Sequence, residues 1–288
     1  MTFPPTVAPT VGDLVRRLTK YLDSAGVREA ATEARDLVAA LAGEGRFWPH
    51  THRDTGVAPD LAVRASDAAV RRASGMPFAY AVGRAAFRHL TLRVDDRVLI
   101  PRQETEQLVE LVLERQNDGI AGDVGTGSGA IALALAAEGS YDRVYATDIS
   151  SGSLAVARAN LSALPEGSAP VEFRSGDLLA PLAGVRLDVL VSNPPYIAYD
   201  EAVSLPSSVR DWEPAQALFS PSNGLATTGR IIDGAPALLS SGGLLALEVD
   251  ARRALQVTEL VASSGAYRNV ELYQDLMGRD RFVLATRA

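Results

Sequence analysis

Gly119-Ile-Ala-Gly-Asp-Val-Gly-Thr-Gly-Ser-Gly-Ala-Ile-Ala-Leu-Ala-Leu-Ala-Ala137 is the stretch whose reading decides the fold. Residues 119–124 read as a short strand. Residues 130–137 alternate alanine with leucine and isoleucine and are strong helix formers. Between them Gly125, Gly127 and Gly129 make a turn in which the backbone can approach a ligand closely, because no Cβ stands in the way. Strand, glycine-rich turn and helix in that order are what a nucleotide-type site at the end of a parallel strand requires.

Working outward, two further strands end in acidic residues. Val144-Tyr-Ala-Thr-Asp148 places a carboxylate about twenty residues after the glycine turn, where it can accept both hydroxyls of a ribose. Ser175-Gly-Asp177 ends the next strand, a place to meet an adenine amine. The apolar run Leu187-Asp-Val-Leu-Val-Ser192 then stops at Asn193-Pro-Pro-Tyr196. Neither proline can donate to a β-ladder, so the Asn193 side chain and the backbone carbonyls project from a rigid strand end. Such acceptors suit a planar –NH2 group, held by its two hydrogens while Tyr196 packs on its face. Taken alone, the tetrapeptide reads more simply as a strand-ending turn. The glycine turn, Asp148, Asp177 and Asn193–Tyr196 in sequence carry the functional reading.

The glycine spacing is G-x-G-x-G, not the G-x-G-x-x-G of dinucleotide sites. It matches the S-adenosyl-L-methionine loop of Rossmann-like methyltransferases, whose reaction leaves S-adenosyl-L-homocysteine. On that match Gly125, Thr126, Gly127, Ser128, Gly129, Asp148, Asp177, Leu178 and Asn193 form the cofactor set. Asn193, Pro194, Pro195 and Tyr196 form the catalytic set.

From Gly119 onward the pattern alternates strand and helix, the mark of a mostly parallel sheet wrapped by helices. Strands are expected near 119–124, 143–147, 170–174, 187–192 and 243–249, with a closing antiparallel pair at 267–274 and 280–286. Helices are expected near 129–138, 151–162, 229–240 and 252–264. Asp200 to Thr228, with Pro206, Trp212, Pro214 and Pro221, reads as a long loop of the kind that forms lids. The front of the chain differs. After a proline-rich start expected to fray, Val11, Leu14, Val15, Leu18 and Leu22 recur at helical spacing behind a Thr10–Asp13 cap. A second helix follows from about Glu29, and a third opens at Pro59. Leu90–Val94 and Arg97–Ile100 alternate around Asp95-Asp96 and are expected to pair as a hairpin. A helix to about Arg115 starts at Pro101, with Glu104 and Glu106 in its first turn. The expected organisation is a helical substrate-docking domain over 1–85, a β-hairpin linker over 86–102 and a methyltransferase domain over 103–288.

Composition narrows the alternatives. Forty-seven per cent hydrophobic residues suffice for a sizeable core. With no cysteine there is no thiolate site, and three histidines are too few and badly spaced for a metal centre, so no metal is expected. The absence of an 18-residue apolar run and of a leader-like start gives the expectation of a cytoplasmic protein without membrane contact. Net charge is −7. Residues through Arg88 carry +3 and the remainder −10, a poor surface for gripping long nucleic acid.

Gly83-Arg-Ala-Ala-Phe87, Val98-Leu-Ile-Pro-Arg-Gln-Glu-Thr-Glu106, Asp123–Leu133, Val191–Ile197, Trp212-Glu-Pro214 and Asp275-Leu-Met-Gly-Arg-Asp-Arg281 together resemble the bacterial peptide chain release factor glutamine methyltransferases (the PrmC/HemK type). The resemblance covers nearly the whole chain. It implies methylation of the side-chain amide of the glutamine in the Gly-Gly-Gln tip of class I release factors, with the helical domain docking the protein substrate; a monomer is expected. It also implies roles by position: Gly125, Gly127 and Gly129 line the cofactor, Asp148 takes the ribose, and Asn193–Tyr196 hold the glutamine. The chain departs from the family pattern at three places. Leu178 stands where many relatives carry an aromatic residue, Asp250 where a glycine is common, and Gln103 where a Pro-Arg-Pro pattern is usual.

Two other readings use the same residues. An adenine amine is also a planar –NH2, so a nucleic-acid amino-methyltransferase is the main rival. A cofactor-binding scaffold without turnover is the other.

Overall fold

The computed structural model describes residues 10–288; the proline-rich start lies outside the described residues. The described residues divide into two compact units, 10–83 with Pro206–Trp212, and Arg84–Leu205 with Glu213–Ala288.

The first unit is helical. In α1 (Val11–Ser24) the Thr10 hydroxyl accepts from Asp13 N at 3.2 Å, satisfying a free donor of the first turn. Val11, Leu14, Leu18 and Leu22 are fully buried, as their spacing requires. The next helix, α2 (Ala30–Ala42), ends at Gly43, whose φ of 77° closes the helix in the left-handed region. Short α3 (Trp48–Thr51) and α5 (Phe78–Val82) flank α4 (Pro59–Ala73), which starts on its proline. Leu37 and Val38 of α2 pack with Ala65 and Ala69 of α4. Arg72 grips Glu33 with two hydrogen bonds of 2.6 and 2.8 Å across the same pair of helices.

The second unit opens with a hairpin, β1 (Arg84–Phe87) and β2 (Leu90–Arg93), one strand earlier than expected. Arg97–Ile100 forms no strand. The reason lies in the backbone groups. Asn160 takes both the N–H and the carbonyl of Arg93, at 2.7 and 3.0 Å. The Asp95 carbonyl then accepts from Val98 N at 3.1 Å, so the chain turns without pairing. The hairpin turns instead at Arg88-His89. Arg88 adopts φ 50°, a strained value for a side chain, while its guanidinium is held by Glu138 at 2.6 and 2.8 Å.

Helix α6 (Gln103–Arg115) leads into β3 (Asp118–Val124), α7 (Ala130–Glu138), β4 (Ser140–Asp148), α8 (Ser151–Ala159), β5 (Val171–Ser175) and β6 (Leu187–Ser192). The expected long loop after β6 is instead a chain of short helices: a 3-10 turn at Tyr199–Ser204, α9 (Ser207–Arg210) and α10 (Ala215–Leu218). Pro206 and Pro214 sit immediately before α9 and α10, where a missing N–H costs nothing. Helix α11 (Ala226–Gly234) starts before the expected position and ends earlier, ahead of Pro236. The remaining elements are β7 (Leu239–Glu248), α12 (Ala254–Ser263), β8 (Tyr267–Gln274) and β9 (Asp280–Arg287).

Seven strands form one sheet in the order β5-β4-β3-β6-β7-β9-β8; the first five in that order are parallel and β9 is antiparallel to both neighbours. Alternate residues feed two cores. Ala121, Val144, Val189 and Val191 pack under α6 and α7, whereas Leu190, Leu245 and Leu247 pack under α11 and α12. No helix among the described residues is long and apolar enough to cross a membrane.

Candidate active site

Strand order reverses between β3 and β6. From β3 the chain runs outward to β4 and β5, then returns to place β6 on the other side. At such a switch point the connections leave in opposite directions and a crevice opens at the carboxyl ends of the strands. The glycine turn follows β3 and Asn193 follows β6, so both motifs meet there. Buried Ser192 ties them together, donating from Oγ to the Val124 carbonyl at 2.6 Å. A cavity of about 500 Å³ lies at this crevice.

The turn is shaped from beneath. Asp123 is fully buried; its Oδ2 accepts from Thr126 Oγ1 at 2.6 Å and from Ala132 N at 3.1 Å. Burial pushes its carboxyl up to about 7. The Thr147 carbonyl accepts from both Gly125 N and Thr126 N at 2.9 Å. Gly125 and Gly127 have φ of 76° and 55°, and a Cβ on either would stand in open space at the cavity wall. That space is what a ligand lying against the turn needs.

Asp148, at the end of β4, accepts from Gly127 N at 2.9 Å and from Ser150 N at 2.8 Å, and lines the cavity. Burial raises its carboxyl above the ordinary range, partly offset by these backbone donors. Asp177 also lines the cavity, but its carboxylate is paired with Arg230 of α11 at 2.5 Å. Both groups of that pair are well exposed, so the pair is weak and open to exchange. Leu178 takes φ 48°, with its carbonyl accepting from Thr147 Oγ1 at 3.0 Å.

Of the residues expected in the site, Gly125, Gly127, Asp148, Asp177, Leu178, Asn193 and Pro195 reach the cavity wall. Thr126, Ser128, Gly129, Pro194 and Tyr196 do not line it. Thr126 braces the turn on Asp123, and the Ser128 carbonyl accepts from Asn160 Nδ2 at 2.9 Å.

Behind Asn193 the structure holds residues to which the sequence pattern attached no role. Asn193 Nδ2 donates to Thr105 Oγ1 at 3.1 Å, and Thr105 Oγ1 donates to Glu248 Oε2 at 2.7 Å. Glu248 Oε1 lies 3.5 Å from the Tyr196 hydroxyl. Thr105 and Glu248 are buried, 5% and 1% exposed. Burial pushes the Glu248 carboxyl up to about 7, against the pull of Thr105 and Arg281. It also raises the Tyr196 hydroxyl, which stays protonated and able to donate. The signal available in sequence was a carboxylate closing the apolar strand Leu244–Leu247, where an unpaired charge would be costly. Arg102 pairs at 2.6 Å with Glu213, whose side chain is 1% exposed and whose other oxygen accepts from Ile100 N at 3.2 Å.

A release factor glutamine methyltransferase of Moorella thermoacetica is 43% identical over 98% of this chain and 99% of its own length. The chain belongs to the release factor glutamine methyltransferase family. Another member, from Cereibacter sphaeroides, is 39% identical over 95% of this chain and 97% of its own. The family model of the PrmC N-terminal domain matches residues 13–83, and that of the methyltransferase small domain matches residues 103–205. A methyltransferase from Pyrococcus furiosus shares the fold, with a TM-score of 0.53 and 19% identity over 75% of this chain and 98% of its own.

Proposed function

We propose that this protein transfers a methyl group from S-adenosyl-L-methionine to the side-chain amide nitrogen of the glutamine in the Gly-Gly-Gln motif of class I release factors. The observation that carries the reading is the orientation of Asn193. Its Nδ2 is engaged by Thr105, which leaves Oδ1 as an acceptor, and Asn193 lines the same cavity as Gly125 and Gly127 of the glycine turn. Membership of the family supplies the protein substrate.

The residues fit the methyl donor. Gly125 and Gly127 leave room for it, and Asp148 has acceptor capacity for ribose hydroxyls beyond its two backbone bonds. The Asp177–Arg230 pair and Leu178 border the end of the cavity proposed for the adenine. When bound, the donor supplies a methyl group already activated by a sulfonium charge.

An amide nitrogen is a poor nucleophile because its lone pair is delocalised into the carbonyl. The protein's task is therefore alignment and charge stabilisation. Asn193 Oδ1, at the cavity wall, accepts one amide hydrogen and fixes the nitrogen in one orientation; the carbonyl of Pro194, set between the wall residues Asn193 and Pro195, is the proposed acceptor of the other. The same oxygens stabilise the positive charge that grows on nitrogen, so they bind the transition state better than the ground state. Tyr196 does not line the cavity; it braces the strand end with its hydroxyl toward Glu248, and Pro195 at the wall removes the freedom to swing. After transfer the nitrogen carries an acidic proton that leaves to water without a dedicated base. The helical unit, 10–83 with Pro206–Trp212, is the proposed docking module for the release factor.

The test uses purified protein, methyl-labelled donor and three acceptors: a class I release factor, total RNA and DNA. Label on the Gly-Gly-Gln peptide, located by mass spectrometry, is the expected result. Label on nucleic acid alone would replace this reading with an amino-methyltransferase of adenine or RNA.

A further inference from the structure

The hydrogen bonds behind Asn193 have a direction, and the direction has one source. A threonine hydroxyl has one proton to give and lone pairs to receive. An ionised carboxylate only accepts. With Glu248 ionised, the Thr105 proton goes to Glu248 Oε2 at 2.7 Å, and Thr105 can only accept from its other neighbour. That neighbour, Asn193 at 3.1 Å, must therefore present Nδ2 and turn Oδ1 away. Protonation of Glu248 removes this constraint. A Glu248 O–H can donate to Thr105, Thr105 can then donate to Asn193 Oδ1, and the carboxamide turns its –NH2 outward. An –NH2 facing a substrate –NH2 opposes donor to donor and loses the bond.

We propose that Thr105 and Glu248 are positioning residues for the substrate amide: the ionised carboxylate, acting through the threonine hydroxyl, selects which end of the Asn193 carboxamide faces the substrate. The second oxygen of Glu248 lies 3.5 Å from the Tyr196 hydroxyl, so one carboxylate steadies both ends of Asn193–Tyr196. The inference rests on the reading of Asn193 as the acceptor of the amide. Four groups from three elements face Glu248. Thr105 and Glu104 come from α6, Tyr196 from the segment after β6, and Arg281 from β9. Thr105, Tyr196 and Arg281 favour the ionised form, while Glu104 and burial oppose it. The balance pushes the carboxyl up to about 7, so its proton exchanges in the working range.

The experiment compares wild type, Thr105→Ser, Thr105→Val and Glu248→Gln, each first shown to bind S-adenosyl-L-homocysteine by calorimetry. Methylation of a purified release factor is followed across about pH 6–9. Wild type and Thr105→Ser should lose kcat/KM on the acid side of about pH 7. Thr105→Val should fall about tenfold or more at high pH, the worth of one charge-assisted hydrogen bond, and show no acid limb. Glu248→Gln should show no acid limb. A Thr105→Val profile like that of wild type, or an acid limb retained in Glu248→Gln, overturns the proposal. A second readout is independent of turnover. In protein labelled with 15N-asparagine, the Asn193 side-chain amide signal, assigned by its loss in Asn193→Ala, should titrate near pH 7 in wild type and stay fixed in Thr105→Val. A wild-type signal that does not move with pH overturns the positioning role whatever the substrate. Failure to methylate a release factor would defeat the substrate assignment alone, because the amide titration still decides the positioning role.

Discussion

A Cβ on Gly224 would lie 2.2 Å from the carbonyl oxygen of Tyr196 and 2.9 Å from its carbonyl carbon. Gly224 has φ 80° and follows Ser222 and Asn223, which are also left-handed. The turn is held by buried Arg253, which donates to Asn223 Oδ1 at 3.1 Å and to Glu201 Oε1 at 2.7 Å. Backbone thus packs on backbone behind Asn193–Tyr196, and neither side can yield as a flexible side chain would.

Gly224→Ala should therefore displace Tyr196 as well as strain its own turn. The expected outcome is a loss of about 1–3 kcal/mol in denaturant melts. Methyl transfer should fall about tenfold or more, in line with the cost of small misplacements at a reacting centre. Binding of S-adenosyl-L-homocysteine should change little, since the turn packs on the amide-binding side.

Asn193→Ala removes the proposed acceptor of the substrate amide. By analogy with loss of a single group from a charge-stabilising site, kcat should fall by at least ~10²-fold. Single-turnover methylation measures this, and activity within tenfold of wild type would refute the role.

Asp148→Asn keeps the size of the side chain but replaces one acceptor with a donor that faces Gly127 N or Ser150 N. Donor affinity should weaken about tenfold or more, the range for a hydrogen bond to a charged group. Titration calorimetry with S-adenosyl-L-homocysteine reads it directly; an unchanged Kd would remove Asp148 from the site.

Glu248 links stability to pH. Its carboxyl is raised from 4.5 to about 7 in the folded protein. Between those values the folded state keeps a proton that the unfolded chain has lost, so this group's contribution to stability falls as pH rises through the window and stays low above it. Glu248→Gln should raise the melting temperature more at pH 8 than at pH 5. The gain is on the order of 3 kcal/mol at most. A larger gain at the acid end would contradict the assignment.

Arg102→Met leaves the buried Glu213 carboxylate without its cation. Loss of up to about 3 kcal/mol is expected, with partial recovery in the double variant Arg102→Met/Glu213→Gln, which removes the charge as well. A double-variant cycle in denaturant melts checks the coupling.

Much of the fold was legible because its signals are local. The glycine turn between an apolar strand and an alanine-rich helix, the prolines after Leu187–Ser192, and the spacing of Val11, Leu14, Leu18 and Leu22 each depend on neighbours a few residues away. The hairpin was misplaced because Arg84-Ala-Ala-Phe87 has no strand-like composition. Its pairing depends on Asn160, 67 residues beyond Arg93, taking the groups a later strand would have used. Asp200–Thr228 reads as loop in the sequence because four-residue helices opening on prolines leave no periodicity to detect.

By itself the sequence determined the strand ends that carry Gly125–Gly129, Asp148 and Asn193–Tyr196, since composition and proline chemistry act along the chain. It also determined the family, through motifs distributed over nearly all of the chain's length. Tertiary structure alone decided which end of the Asn193 carboxamide is free, through Thr105 at 88 residues' separation and Glu248 another 143 residues away from Thr105. The direction of a buried hydrogen-bond chain depends on where its one carboxylate is placed, and no stretch of sequence around Asn193 contains it.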